Sequence, residues 1–133
     1  MPTENHATGI LLFAHGSAVE EANRGVHELA RQIEQEGPYR YVRAAFLDVA
    51  EPDLAAAVAA AAQDGLRRVV IIPYFLTEGI HMQRDLPGLV ASLRGLHPHL
   101  AIEIGRSLEG HPGMVSIILE RVQEVTGGTQ SAR

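Results

Sequence analysis

Two histidines follow apolar segments of this 133-residue chain and could act together. His15 comes directly after the run Gly9–Ala14, and His81 lies a few residues beyond the run Val69–Ile72. A neutral imidazole can bind a divalent metal ion or accept a proton, so the pair suits metal or acid–base chemistry. The chain has no cysteine. A transition metal would therefore need histidine or carboxylate ligands, which suit exchangeable rather than permanent binding.

Other polar residues near the two histidines have both a chemical and a structural interpretation. Glu78 could be a base or a metal partner, or a solvated loop carboxylate. Gly16 and Ser17 could offer an N–H or a hydroxyl group to an anion, or form a glycine turn with Ser17 as a helix N-cap. Arg84 could pair with an acidic substrate or balance Asp85. The Gly16-Ser17 turn lacks the lysine of a phosphate-binding loop, and Ser17 has no evident catalytic triad.

Four segments have the composition of β-strands. The two apolar runs before the histidines are typical of strands that are buried on both faces. Arg43 interrupts the segment Tyr41–Leu47, and Glu103 interrupts Leu100–Ile104. A charged residue within an otherwise apolar strand indicates a partly solvated side. We therefore expect these two strands to lie at the edges of a sheet.

Helical patterns alternate with the strands. The first, which ends at Gly37-Pro38, and the last, which begins at Pro112, carry apolar residues at 3.6-residue spacing. The second opens at Pro52-Asp53 and is nearly all alanine, which suggests close packing. We expect two buried stripes, formed by Ala22, Val26, Leu29 and Ile33 in the first helix and by Met114, Ile118, Val122 and Val125 in the last.

The start of the third helix sets the length of the connection that contains His81. Asp85 can cap a helix, and Pro87 suits a first turn, so we predict that this helix begins there. About a dozen residues then separate it from the preceding strand, whereas such connections usually have about 2–6 residues. The connection holds Glu78, His81 and Arg84. We interpret it as half of an active site.

The alternation of strands and helices predicts an α/β fold with a parallel sheet and right-handed crossovers. We expect one three-layer, flavodoxin-like domain over residues 1–133, with an ordered core at about 9–125, strand order 2-1-3-4 and helices on both faces. Ligands bind such sheets at the carboxyl ends of the strands, where the strand order reverses. Here that point lies between the first and third strands, so His15 and His81 should converge on one crevice.

The other histidines are expected to be structural or solvated. His6 lies in a polar amino-terminal segment, and His27 lies in the middle of a helix. His97 and His99 should lie at the opposite end of the sheet from the crevice. His111 precedes Pro112 and is better explained as a residue of a helix start than as a ligand.

The overall composition excludes several classes of protein. A net charge of −5 argues against a general nucleic-acid or anionic-membrane surface. No apolar run approaches 18 residues, and no cationic signal segment opens the chain. We therefore expect a cytoplasmic protein with no membrane or nucleic-acid partner.

The sequence resembles a known family in two motifs. One is His15-Gly16-Ser17, and the other is the segment Pro73–Pro87, with the pattern Pro-Tyr-Phe-Leu-x-x-Gly-x-His-x-x-x-Asp-Leu-Pro. Together they look like the short sirohydrochlorin cobaltochelatases, relatives of the iron and nickel chelatases of tetrapyrrole biosynthesis. The likeness runs from Gly9 to about Val125. It also includes Asn23, Ala45-Phe46-Leu47, Pro52, Gly110-His111-Pro112 and Arg121.

The resemblance implies that this protein inserts a divalent metal into sirohydrochlorin, on the route to cobalamin or siroheme. It implies that His15 and His81 hold the metal, with cobalt, iron or nickel as a substrate and without an organic cofactor. It also implies a homodimer, because longer relatives carry two such domains. One departure bears on substrate binding, since many relatives have arginine where this chain has Ala18.

Two other functions fit the same residues. A carrier of metal or tetrapyrrole would keep both histidines without turnover. A flavodoxin-like regulatory domain would use the Gly16-Ser17 turn to bind an anion.

Overall fold

A four-stranded parallel sheet forms the centre of the molecule in a computed structural model, which describes residues 6–127 apart from the side chain of His81. The strand order is β2-β1-β3-β4, as predicted. No helix in these residues is long and apolar enough to span a lipid bilayer. The strands are β1 (Thr8–Ala14), β2 (Val42–Phe46), β3 (Arg68–Pro73) and β4 (Ala101–Ile104). The helices of this range are α1 (Glu20–Glu36), α2 (Leu54–Gln63), α3 (Ile80–Leu96) and α4 (Gly113–Thr126).

The central and edge strands lie where the sequence predicts them. Strand β1 pairs with both β2 and β3, so that Phe13 lies opposite Ala45 on one side and Pro73 on the other. The edge strands β2 and β4 carry the exposed residues Arg43 and Glu103. The charged interruptions in the two outer segments therefore identified the sheet edges correctly.

Helices α2 and α3 cover one face of the sheet. The carboxylate of Asp53 caps α2 by accepting a hydrogen bond of 2.8 Å from the N–H of Ala56. The alanines of α2 keep side-chain volume small, which allows the helix to approach the sheet closely. The largest apolar cluster lies between these layers and includes Leu11, Phe13, Val58, Val69, Ile71, Leu86, Val90 and Leu93.

Helix α1 packs over β1 and β2 on the other face. Val26, Leu29 and Ile33 are half-buried against a cluster that contains Leu12 and Val42. Ala22 was expected in this stripe but is exposed. The neighbouring Asn23 is buried instead. Its side chain is polar, and its partners lie at the candidate site rather than in the apolar core.

Helix α3 begins earlier than the sequence predicts. It starts at Ile80 with Gly79 as the N-cap residue, so Pro87 lies inside the helix. The prediction of a start at Asp85 is therefore wrong. Proline removes one helical hydrogen bond, but Met82 and Leu86 upstream of it extend the buried stripe of Val90. The burial of Met82 and Leu86 therefore favours a helix that continues through Pro87, whose own side chain is exposed.

Helix α4 is the second departure from the expected fold. None of its residues is buried, although a buried stripe of four residues was predicted. Met114 is half-buried, whereas Ile118, Val122 and Val125 are exposed. The apolar spacing identified the helix correctly but not its packing, because amphipathic spacing does not specify which surface covers the apolar side.

Candidate functional site

His15 lies at the carboxyl end of β1, beside the end of β3. Its side chain is exposed. The centroid of its imidazole ring lies 4.3 Å from that of Phe75, with 32° between the two ring planes. Phe75 is buried and follows β3, whose end is joined to β1 by a 2.7 Å hydrogen bond from the N–H of Tyr74 to the carbonyl of Phe13. One face of the imidazole is therefore supported by the β3 end.

Gly16 allows the turn after β1 to pass close to the loop after β2. Its φ is 90°, and a Cβ atom built at this position would lie 1.9 Å from the carbonyl oxygen of Asp48. The N–H of Asp48 also donates a 3.1 Å hydrogen bond to the carbonyl of His15. A side chain at residue 16 is excluded both by this close approach and by the positive φ.

Ser17 is held by a buried amide rather than serving as the N-cap. Asn23 Oδ1 accepts a 2.9 Å hydrogen bond from the N–H of Ser17, and Asn23 Nδ2 donates one of 2.8 Å to its carbonyl. The hydroxyl oxygen of Ser17 accepts from the N–H of Val19, the N-cap residue of α1. The interpretation of Ser17 as an N-cap is therefore wrong. Its N–H already has a partner, which weakens the anion-binding interpretation of this turn.

The connection from β3 to α3 is shorter than predicted, with six residues from Tyr74 to Gly79. The loop after β4 supports it at two points. Glu109 Oε1 accepts a 2.7 Å hydrogen bond from the N–H of half-buried Glu78, and the N–H of Leu108 donates one of 3.2 Å to the carbonyl of Phe75. No sequence pattern marks Glu109 for this role, because only the fold brings the loops after β3 and β4 together.

His81 and Arg84 lie in the first turns of α3 rather than in a loop. The side chain of His81 is outside the described part of the structure. Arg84 is exposed, and no ion pair among the described residues involves it or Asp85. Residues three apart share one side of a helix, so Arg84 and His81 lie on the same side of α3. The expectation that Arg84 balances Asp85 has no support.

The remaining histidines lie where the sequence predicted. His97 and His99 lie between α3 and β4, at the amino end of the sheet. The Nδ1 atom of His111 accepts a 2.8 Å hydrogen bond from the N–H of Gly113 at the start of α4. His6 and His27 are exposed. Among the described side chains, no group of three or more histidine, aspartate and glutamate residues is arranged to hold a metal ion.

Exposed apolar side chains surround the carboxyl end of the sheet. They come from the connections after β1, β2 and β3 and from the start of α3. This apolar rim consists of Val19, Leu47, Val49, Tyr74, Leu76 and Ile80, which are 38–70% exposed. Next to the His15 turn, an open cavity of about 790 Å³ is lined by residues 47–53 and Ala56. The site therefore combines an imidazole with several exposed apolar side chains.

The family model CbiX matches residues 9–125 of the chain. The chain belongs to the CbiX family. The match confirms the resemblance inferred from the His15-Gly16-Ser17 and Pro73–Pro87 motifs.

Two curated relatives of this chain are named as chelatases. A sirohydrochlorin cobaltochelatase of Methanopyrus kandleri is 33% identical over 89 residues, which cover 67% of this chain and 59% of that protein. The chloroplastic sirohydrochlorin ferrochelatase of Arabidopsis thaliana is 30% identical over 117 residues, which cover 88% of this chain and 52% of that protein. The chain thus spans little more than half the length of these two curated relatives.

Solved structures of CbiX-type proteins share the fold. A CbiX protein of Marinobacter aquaeolei VT8, named for cobalamin biosynthesis, superposes with a TM-score of 0.80 at 25% identity, covering 90% of this chain and 98% of that one. The sirohydrochlorin chelatase SirB of Bacillus subtilis subspecies spizizenii, in complex with cobalt, also gives 0.80, at 20% identity. That match covers 89% of this chain and 50% of SirB, and shows the fold alone.

Proposed function

We propose that this protein inserts a divalent metal ion, cobalt or ferrous iron, into sirohydrochlorin for cobalamin or siroheme synthesis. The observation that carries the proposal is the position of His15, whose exposed imidazole lies between the ends of β1 and β3. His81 occupies the first turn of the helix after β3. The names of the family's relatives support the choice of sirohydrochlorin and of these two metals.

The chemistry requires a weak metal site and a proton acceptor. The ring nitrogens of the macrocycle must lose two protons as the metal loses its water ligands one by one. Neutral imidazoles of His15 and His81 would hold the metal from one side, and the absence of thiolates makes its release to the macrocycle easier. An imidazole or the carboxylate of Glu78 would accept the protons.

The substrate has a flat apolar face and charged carboxylates. The apolar rim suits the flat face, and a few polar groups suit the carboxylates. The flat face of the macrocycle would lie on the rim, where its burial is favourable. Sirohydrochlorin has many carboxylates, whereas the protein has a net charge of −5. Local positive charge is therefore needed, and exposed Arg84 beside His81 can supply it. The Ser17 hydroxyl keeps a proton to donate, because its oxygen accepts from Val19.

We also propose that two copies form a homodimer through α4. Val115, Ile118, Leu119, Val122 and Val125 share one side of this helix at i, i+3, i+4, i+7 and i+10 spacing and are 47–87% exposed. Helix α1 covers one face of the sheet over β1 and β2. On the same face, Val70 and Ile72 of β3 remain only half-buried. The chain therefore carries an apolar helix stripe and a partly open sheet surface on which a partner's α4 could pack.

The exposed area of the α4 stripe supports this proposal. Five aliphatic side chains at this exposure correspond to roughly 300 Å² of apolar surface, at about 100 Å² for each fully exposed side chain. In a two-fold dimer both stripes are buried, and each covering surface loses a comparable area when its polar atoms are counted as well, so the total is roughly 1,200 Å². A specific interface needs at least about 1,000 Å². Two-fold pairing is also the commonest closed assembly.

A metal-competition assay tests the activity. Purified protein, sirohydrochlorin and equal concentrations of Co²⁺, Fe²⁺ and Ni²⁺ are mixed without oxygen, and insertion is followed by visible absorbance and mass spectrometry. We expect insertion of cobalt or iron well above the rate without protein. Binding of metal and macrocycle at the spontaneous insertion rate would instead identify a carrier and contradict the chelatase proposal.

A further inference from the structure

Asn23 is the one amide side chain that the described part of the structure buries fully. It is 4% exposed, and Thr8 is the other buried polar residue there. Asn23 lies in the first turn of α1, which has no side-chain hydrogen bond at its N-cap residue. Asparagine is a poor helix former, and a buried amide is costly unless it is hydrogen-bonded. Asn23 meets this condition through two hydrogen bonds to Ser17.

Both ends of the Asn23 amide bind one residue of the turn that contains His15. Its oxygen accepts from the N–H of Ser17, and its nitrogen donates to the carbonyl of Ser17. On the other side of the turn, Asp48 binds the carbonyl of His15 and approaches Gly16 closely. The backbone of residues 15–17 is thus held between α1 and the loop after β2.

The position of the His15 ring depends on this backbone. No side-chain hydrogen bond of His15 is present among the described residues, and its ring contacts only Phe75 among the aromatic rings there. The direction of its Cα–Cβ bond is therefore fixed mainly by the backbone of the turn. Loss of one clamp would widen the range of imidazole positions, and a metal site tolerates only small displacements of its ligands.

We propose that Asn23 is a positioning residue that orients His15 for metal binding by clamping Ser17. The proposal rests on the proposed function, in which His15 holds the metal. It assigns the effect of Asn23 to the metal step rather than to binding of the macrocycle. Asparagine is required because aspartate retains the acceptor for the Ser17 N–H but has no donor for the Ser17 carbonyl.

Metal titrations of variants test the clamp. Co²⁺ affinity without macrocycle is measured by calorimetry for the wild type, Asn23→Ala and Asn23→Asp. We expect both variants to bind Co²⁺ about 5- to 10-fold more weakly. A change of this size is typical of the energetic coupling between neighbouring residues. In turnover, KM for Co²⁺ should rise, whereas KM for sirohydrochlorin should change by less than about 2-fold.

Ala30→Gly provides a matched structural control. Ala30 is buried on the same helix, against the cluster of Leu12 and Val42. The substitution weakens α1 and its packing but leaves the Ser17 clamp intact. We expect a lower Tm with unchanged Co²⁺ affinity. If Ala30→Gly weakens Co²⁺ binding as much as Asn23→Ala at a similar loss of Tm, Asn23 acts through stability alone and the proposal is overturned.

A double-mutant cycle separates this inference from the proposed function. Asn23→Ala should have no further effect on Co²⁺ affinity in a His15→Ala background, and a further effect there would contradict the clamp. If His15→Ala itself binds Co²⁺ like the wild type, the metal role of His15 fails. If His15→Ala weakens binding and Asn23→Ala does not, only the positioning role of Asn23 fails.

Discussion

At the scale of single residues, the two histidines carry the proposed chemistry. Alanine at His15 or at His81 should lower kcat for metal insertion by at least about 100-fold, because each substitution removes a metal ligand or a proton acceptor. The fold should survive in His15→Ala, since the side chain is exposed and little apolar burial is lost. Insertion is followed by the visible absorbance of the macrocycle, and folding by circular dichroism.

His97→Ala and His99→Ala are the matched controls for these variants. Both residues lie at the amino end of the sheet, away from His15. Their variants should insert metal at nearly the wild-type rate. An unchanged rate for His81→Ala would show that the proposed site is wrong.

The protonation of imidazole gives a second prediction at this scale. A histidine must be neutral to bind a metal ion, and the general pKa of an imidazole side chain is about 6.5. Co²⁺ affinity should therefore fall as the pH is lowered from about 7.5 to about 5.5. Calorimetric titrations at several pH values measure this dependence. A constant affinity over the range would exclude a site built from histidines.

At the scale of elements, Glu34 joins the end of α1 to the start of β2. Its carboxylate accepts hydrogen bonds from the N–H of Val42 at 3.1 Å and from the guanidinium of Arg43 at 2.7 Å. Burial raises the pKa of Glu34, but these two hydrogen bonds and the charge of Arg43 outweigh it, so the pKa is lowered from 4.5. The stabilisation is therefore present above about pH 4.5 and is lost as the pH falls through the lowered pKa of the folded state.

Glu34→Gln should reveal this contribution as a pH-dependent loss of stability. At pH 7 the variant should have a free energy of unfolding about 1 kcal/mol lower than the wild type, and the difference should shrink at acidic pH. Denaturant unfolding at pH 7 and pH 3 measures it. Glu36→Gln is the control, because Glu36 is exposed on the last turn of the same helix. An equal loss at both pH values would contradict the role of the Glu34 charge.

At the scale of the whole molecule, the exposed stripe of α4 predicts dimerisation. Ile118→Glu combined with Val122→Glu places two charges on the stripe and should produce monomers with lower insertion activity. Glu120→Gln, on the same helix but outside the stripe, should leave the dimer intact. Sedimentation at micromolar concentration measures the state of association. A wild-type monomer with full activity would refute the dimer.

Most of the fold followed from local patterns. Uninterrupted apolar runs identified β1 and β3 as central strands, and the single charges Arg43 and Glu103 identified the edges. The division into central and edge strands and the alternation of strands with helices then leave few possible topologies, because crossovers between parallel strands are right-handed. The start of α3 was missed because Asp85 and Pro87 are local helix-start signals. The burial of Met82 and Leu86, which overrides them, is a tertiary effect.

The sequence alone determined the family and the strand order, and it predicted correctly that His15 follows β1 and His81 follows β3, since motif spacing and apolar runs are properties of neighbouring residues. The tertiary structure decided what supports these residues. It showed that Asn23 clamps Ser17, that Glu109 binds the backbone of Glu78, and that α4 leaves its apolar side exposed. These contacts join residues from different elements, or depend on the packing of a whole helix. Their geometry exists only once the sheet brings the ends of its strands together.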